Sequence, residues 1–420
     1  MNATVGNRTK SCPNCNNAMK MNEGYITWCE ACHYNINPST LNEDKHRFER
    51  IYDKLGEKFG HQLFETILYQ REKRFSFSML FVYIFASMIH VVFLLFFLGC
   101  FFIPVVWGFS FGTAVLMGIC LLFTWLLRPV VYRLEETEVV LSRHDLPTLF
   151  KIIDEICREA QIKPVDGVIL SGNYNASITS IGWRQKRIMN IGLPLFHILT
   201  LDEKVSVLAH EIGHLKHGDT WRGWYIQTAQ NSLATWYETL QPDTIEVSET
   251  LGAFEVISLF IMKGLSYIPY AGYYLFGYLL YQDSQRAEYE ADQFEASISG
   301  SEVAVRVLEK IQLGDSISST IYKAALSRKE IDMYQEIKVM VDQMPIQELK
   351  RIKVIGELEK TRLSLTHPPT HFRIRMLQSK KQYPSIKLDA ATGKDLIGEL
   401  SQYHSKAQED LFEDILWRLS

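Results

Sequence analysis

The sequence predicts a mainly α-helical fold of the α+β class, with a two-helix transmembrane hairpin between a small cysteine-rich module and a larger mixed domain. Three observations predict it. Four of the seven cysteines lie in the first 32 residues, and residues 75–127 contain no Asp, Glu, Lys or Arg. Most of the remaining chain places apolar residues at helical spacing, with only short β-like runs after residue 166. A length of 420 residues suggests two or three domains. Lys plus Arg number 44 and Asp plus Glu 48, a net charge of −4, so no overall basic footprint for nucleic acid exists.

The first element is carried by Cys12-Pro-Asn-Cys15 and Cys29-Glu-Ala-Cys32, two pairs separated by 13 residues. Each tight turn presents two thiolates and the spacer lets the pairs converge, the pattern of a tetrahedral four-cysteine zinc ribbon over residues 1–38. Seven cysteines are too few for a disulfide-stapled scaffold, and no short apolar stretch with a small-residue cleavage site occurs near the start. Four thiolates close the coordination shell, so this zinc is expected to hold shape. Within residues 11–37 Lys20 is the only Lys or Arg, a poor match for phosphate.

Residues 39–74 read as an amphipathic linker helix: Thr40 and Glu43 fit a capping box, and Phe48, Ile51, Leu55, Phe59, Leu63 and Ile67 share a face. The uncharged stretch within 75–130 is long enough for two crossings at about 20 residues each, with Gly99, Pro104 and Gly108 placing the turn near residues 100–106. Arg71, Lys73 and Arg74 precede it and Arg128 and Arg133 follow, so both flanks, the ribbon and the following domain are expected on the cytoplasmic side of the cell membrane. His90, Cys100, Cys120 and Cys157 read as packed residues.

Next come a capped helix over residues 145–160, β-like runs at 167–170 and 187–193, and a long helix from about Asp202 to Gly218. A second apolar region, residues 252–282, contains six tyrosines between 267 and 281 and is interrupted by Lys263 and Pro269. It fits either further membrane contact or a buried hairpin over the site; Pro269 is expected to break it. The rest is helical in pattern, ending in an extension over residues 381–420.

The strongest chemical signal is His210-Glu211-Ile212-Gly213-His214. On a helix, i and i+4 lie about 40° apart, so both imidazoles reach one metal, and Glu211 stands beside them to deprotonate a water. A third ligand must come from elsewhere: His217, Asp219, Glu288 and Asp292 are candidates. Glu288 and Asp292, again i and i+4, are best placed, one for the metal and the other to orient a ligand histidine. Glu295, a further turn along, reads as solvated.

With AHEIGHLKHGDT followed by SQRAEYEAD, whose Glu288 comes 74 residues after His214, the chain resembles the HtpX-type membrane gluzincins, relatives of the CAAX prenyl endopeptidases. The resemblance implies a zincin-like metalloprotease domain over residues 131–380. It implies Glu288 as third zinc ligand and Asp292 as its supporting aspartate. His367-Pro368-Pro369 with Arg373 matches a third element of that family and implies a place in the cleft, stabilising the oxyanion or organising the metal carboxylate. Asn175-Ala176 implies an edge strand that pairs with substrate backbone. The expected function is a membrane zinc metalloendopeptidase with one catalytic and one structural Zn2+, cutting polypeptides, misfolded or membrane proteins among them. The ribbon does not belong to the common pattern and suggests a protein partner. The competing reading is an adaptor that recruits a partner through the ribbon and keeps the peptidase fold as a platform.

Overall fold

In a computed structural model the described residues are 8–36, 60–68, 77–131, 138–182, 184–217, 220–241, 252–327, 331–358 and 367–419, with isolated positions 54, 58 and 134. The described residues are mainly helical with two small sheets, the class the sequence predicts. Most of the linker helix expected over residues 39–74 lies outside the described residues, as do Asp219 and the side chain of His217.

Strands β1 (Arg8–Ser11) and β2 (Ala18–Met21) form an antiparallel hairpin that carries the first cysteine pair at its turn. The described part of the linker, α1 (residues 60–68), buries Phe64 against Tyr289 and Phe372, its ring stacked on Phe372 at 4.4 Å.

Helix α2 (Phe77–Trp107) contains the stretch Ser78–Trp107, the one segment among the described residues long and apolar enough to cross a membrane. Helix α3 (Phe111–Leu126) returns beside it but has only 16 residues, about 24 Å, short of the ~30 Å hydrocarbon core by itself. The turn lies at residues 108–110, later than the expected 100–106: α2 runs through Gly99 and Pro104, and Gly108 supplies the left-handed φ of +67° that ends it. Ser110 then caps α3 in a box with Thr113.

Helix α4 (Pro147–Ala160) starts with proline at its first position. The free N–H groups of Thr148 and Leu149 donate to the Glu399 carboxylate at 2.6 and 3.1 Å, so the C-terminal extension caps this helix. A three-stranded sheet follows, β3 (Gly167–Ser171), β4 (Ala176–Ile181) and β5 (Lys186–Gly192), in the order β3-β5-β4. β5 runs parallel to β3 and antiparallel to β4, which leaves β4 as an edge strand lying against the following long helix.

Short α5 (Leu193–Ile198) leads into α6 (Leu201–His217) and α7 (Thr220–Leu240). α8 (Ala253–Ser299) is a single helix of 47 residues. The break expected at Pro269 is absent: only the one carbonyl a turn earlier loses its partner there, and the flanking residues keep the helix going. Its first half packs on α2 and α7 through Phe276, Val82, Ala86 and Leu233, while Phe254, Phe260 and Ile268 remain exposed on the other side. Its second half packs along α6 in the main core.

The remaining helices are α9 (Ser301–Ile311), α10 (Gly314–Leu326), α11 (Met333–Asp342), α12 (Ile346–Leu358), α13 (Thr370–Ser379), α14 (Ala390–Ser401) and α15 (His404–Leu419). The cysteine module docks on α12. Trp28 is buried and donates its Nε1–H to the Gln347 carbonyl at 3.3 Å, Arg351 donates to the Ile36 carbonyl at 2.7 Å, and Lys350 pairs with Glu30.

Candidate active site

Two helices build the site. α6 presents His210, Glu211 and His214; α8 presents Glu288, Asp292 and Glu295 along one face at spacings of four and three residues. They approach closely because Gly213 has no side chain where α8 passes: a Cβ there would meet the Ala291 Cα at 2.9 Å. That contact lies one helical turn from Glu288 and brings its carboxylate to the two imidazoles.

The His210 and His214 rings meet edge to face with their Nε2 atoms 3.2 Å apart. Glu288 Oε1 lies 3.5 Å from His214 Nε2, and Oε2 lies 3.6 Å from His210 Nε2. A zinc ion bonded at 2.0–2.2 Å to three corners of a tetrahedron sets those corners about 3.3 Å apart. The donor spacing therefore fits zinc. Charge fits as well: three buried carboxylates, Glu288, Asp292 and Glu295, stand beside one buried guanidinium, Arg373, a surplus of acidic groups that suits a cation.

Behind the donors lies a second set of contacts. His210 Nδ1 faces Asp292 Oδ1 at 3.2 Å and Glu295 Oε2 at 3.3 Å. Arg373, on α13, grips Asp292 with two bonds, Nε to Oδ2 at 2.9 Å and Nη2 to Oδ1 at 2.5 Å. His367 precedes α13 and sets its Nδ1 2.6 Å from Glu288 Oε2, while its side chain is 55% exposed. Pro368 and Pro369 are buried, which holds His367 at the helix entrance.

The electrostatics follow. Burial raises Glu288, but His210, His367 and Arg373 outweigh it and hold its carboxyl far below the usual range. Burial lowers His210, yet Asp292, Glu288 and Glu295 bring it well above the ordinary histidine value. His214 is pushed down to about 4 by burial and the adjacent His210 charge. Burial pushes Glu211 up to about 7, a carboxyl poised to exchange a proton near neutrality.

Ala176 opens β4 and Asn175 stands just before it. The Asn175 carbonyl accepts the Gly192 N–H at 2.8 Å, and a Cβ at Gly192 would lie 1.9 Å from the Asn173 carbonyl oxygen, so only glycine admits this approach. Among the described residues the outer edge of β4 pairs with no strand, and β4 packs against α6.

One expectation is overturned. Glu295 is not solvated: it is buried, with Oε1 accepting from Ser206 Oγ at 2.6 Å. The available signal was its position seven residues after Glu288, two turns along one face; what the spacing did not reveal is that Ser206 of α6 meets it.

The four cysteines form a second donor cluster, their sulfurs all within 4.8 Å of one another and the pairs Cys12–Cys32 and Cys15–Cys29 at 3.6 and 3.5 Å. Four sulfurs around one zinc at 2.3 Å stand about 3.8 Å apart, so this cluster also fits the metal.

Residues 145–381, more than half of the chain, match peptidase family M48. The chain belongs to that family. Over 145 residues it is 29% identical to Protease HtpX homolog 1 of Saccharolobus solfataricus, spanning 34% of this chain and 46% of that protein. It is 25% identical over 179 residues to Protease HtpX of Pseudomonas putida, spanning 41% and 58%. It is 24% identical over 245 residues to Protease HtpX of Shewanella oneidensis, spanning 54% and 73%. The chain thus spans about half the length of the first of these curated relatives. His210, His214, Glu288, Asp292, Glu295 and Arg373 all fall inside the M48 match, as do Glu211 and His367.

Proposed function

We propose that the chain is a membrane-bound zinc metalloendopeptidase that cuts polypeptides, misfolded and membrane proteins among them, at the cytoplasmic face. The observation that carries this reading is the convergence of His210, His214 and Glu288 at tetrahedral spacing with Glu211 on the same helix. Those three side chains would hold the catalytic zinc. When bound, zinc supplies Lewis acidity and brings the pKa of water from 15.7 to about 7.

Glu211 accepts the proton of the attacking water and delivers it to the departing amine. Asp292 and Arg373 keep the carboxylates and His210 oriented, so of the two roles open to Arg373 its two-bond grip on Asp292 favours the organising one. His367, half exposed and with Nδ1 taken up by Glu288, would in its protonated form donate Nε2–H to the oxygen that gains charge in the tetrahedral state. The edge of β4 from Ala176 onward offers backbone groups to an extended substrate.

The four-cysteine cluster would hold a second, structural zinc. α2 would cross the bilayer and α3, a turn or so short of the hydrocarbon core, would return beside it through a locally thinned bilayer, a hairpin with the basic flanks inside; the exposed apolar face of α8 around Phe254, Phe260 and Ile268 would lie against lipid, in a multi-pass chain.

The test compares detergent-purified wild type with Glu211→Gln on casein, with zinc content measured in both. Cleavage by wild type alone, at equal zinc, is the expected result. Equal turnover by the Glu211→Gln enzyme would remove this mechanism.

A further inference from the structure

We infer that Glu295 is a positioning residue of the metal centre: together with Asp292 it accepts the Nδ1–H of His210 and so fixes the tautomer whose Nε2 lone pair faces His214 and Glu288. The inference rests on the reading of His210, His214 and Glu288 as zinc ligands.

The geometry is a ladder between two helices. Ser206 lies one turn before His210 on α6, and Ser299 one turn after Glu295 on α8. Ser206 Oγ donates to Glu295 Oε1 at 2.6 Å and lies 2.8 Å from Ser299 Oγ, which also reaches the Glu295 carbonyl at 3.0 Å. Both hydroxyls and the carboxylate are buried. With Oε1 taken by Ser206, Oε2 is left to face His210 Nδ1 at 3.3 Å.

Asp292 does not make Glu295 redundant. Both Asp292 oxygens are engaged by Arg373, so part of that carboxylate's acceptor strength is committed to the guanidinium. Glu295 has a hydroxyl on one oxygen and the imidazole beside the other. A carboxylate taken out of water at a helix contact is costly unless its lone pairs are used. Here they are used on a ligand histidine, where an outer partner raises ligand basicity and locks ring orientation. Mere packing of α6 on α8 would be served by an apolar side chain.

The experiment measures zinc affinity of the full-length, detergent-solubilised chain against chelators of graded strength. The zinc that Glu288→Ala loses identifies the centre; the zinc it keeps belongs to the cysteines. Glu295→Gln preserves shape and the Ser206 contact. It is expected to bind the centre's zinc about tenfold more weakly, with the cysteine zinc and the unfolding midpoint in chelator unchanged. Ser206→Ala, which releases Oε1, is expected to weaken binding in the same direction by less. Wild-type affinity in Glu295→Gln would overturn the inference, as would a loss that matches a lowered midpoint in chelator. If Glu295→Gln does not fold, Ser206→Ala decides, and unchanged affinity there overturns it. Should Glu288→Ala keep every zinc, the reading of the centre falls first and the inference falls with it.

Discussion

Gly213 of α6 touches Ala291 of α8 so closely that a Cβ on Gly213 would sit 2.9 Å from the Ala291 Cα and 3.2 Å from its Cβ. The obstructing atoms are the backbone and Cβ of a residue inside a packed helix and cannot swing aside. Gly213→Ala gains about 1 kcal/mol of helix propensity but meets an overpacking cost of about 1–3 kcal/mol. The expected outcome is a lowered unfolding midpoint together with weaker zinc binding, because Glu288 rides on the displaced helix. Gly213→Val should do both more strongly. A stabilised Gly213→Ala protein with normal zinc content would contradict the close approach.

Glu211 yields a pH prediction. Burial lifts its carboxyl to about 7 in the metal-free fold, and a cation held by the neighbouring donors lowers it from there. A base must be deprotonated to act, so activity falls as pH drops through that value. The acid limb of kcat/KM should therefore lie between the ordinary carboxylate range and 7, and a limb above 7 would assign it to another group. The profile is read on casein at constant zinc.

A second pH effect is expected far from the metal. His404 stacks on Tyr334 at 3.9 Å with His197 5.7 Å away, joining α5, α11 and α15. Burial depresses both histidines below 6.5; Asp332 opposes this for each, and Lys204 and Lys338 reinforce it for His197. The unfolded chain therefore takes up protons first as pH falls through 6.5, and stability present above that value is lost below it. His404→Phe keeps a stacking ring and removes one titration. Its melting midpoint should drop less than that of wild type between pH 7.5 and 5.5, by about 2 °C. Parallel curves would exclude His404 as a contributor.

Trp28 ties the cysteine module to α12. Its ring is 1% exposed, and truncation to alanine should cost about 3–5 kcal/mol at that contact. Hydrogen exchange of residues 346–358 is the sensitive readout: faster exchange there is expected in Trp28→Ala and in Cys12→Ser. Unchanged protection would mean that α12 does not depend on the module.

What the sequence revealed depended on distance along the chain. His210 and His214 share a helical face by local geometry, and Glu288 with Asp292 repeat it, so their pairing could be read from spacing alone. Glu295 could not, since its burial requires Ser206 and Ser299 to meet across two helices 89 to 93 positions apart. The docking of Trp28 on Gln347 spans 319 positions and leaves no periodic trace. Pro269 misled for a physical reason: a proline removes one bond and its ring crowds one carbonyl, and a helix of 47 residues packed on α2 and α7 absorbs that loss.

On the proposed placement of its first half against lipid, the unbroken course of α8 would make the protein a gauge of height. Tyr278 is among the last exposed apolar residues of its first half, and Glu288 follows ten residues later, at most about 15 Å along the axis. An extended polypeptide covers that rise in about five residues. With the first half of α8 in the bilayer, the centre can reach peptide bonds only a few residues clear of the headgroups, and a bond's depth, as much as its side chains, would decide whether it is cut.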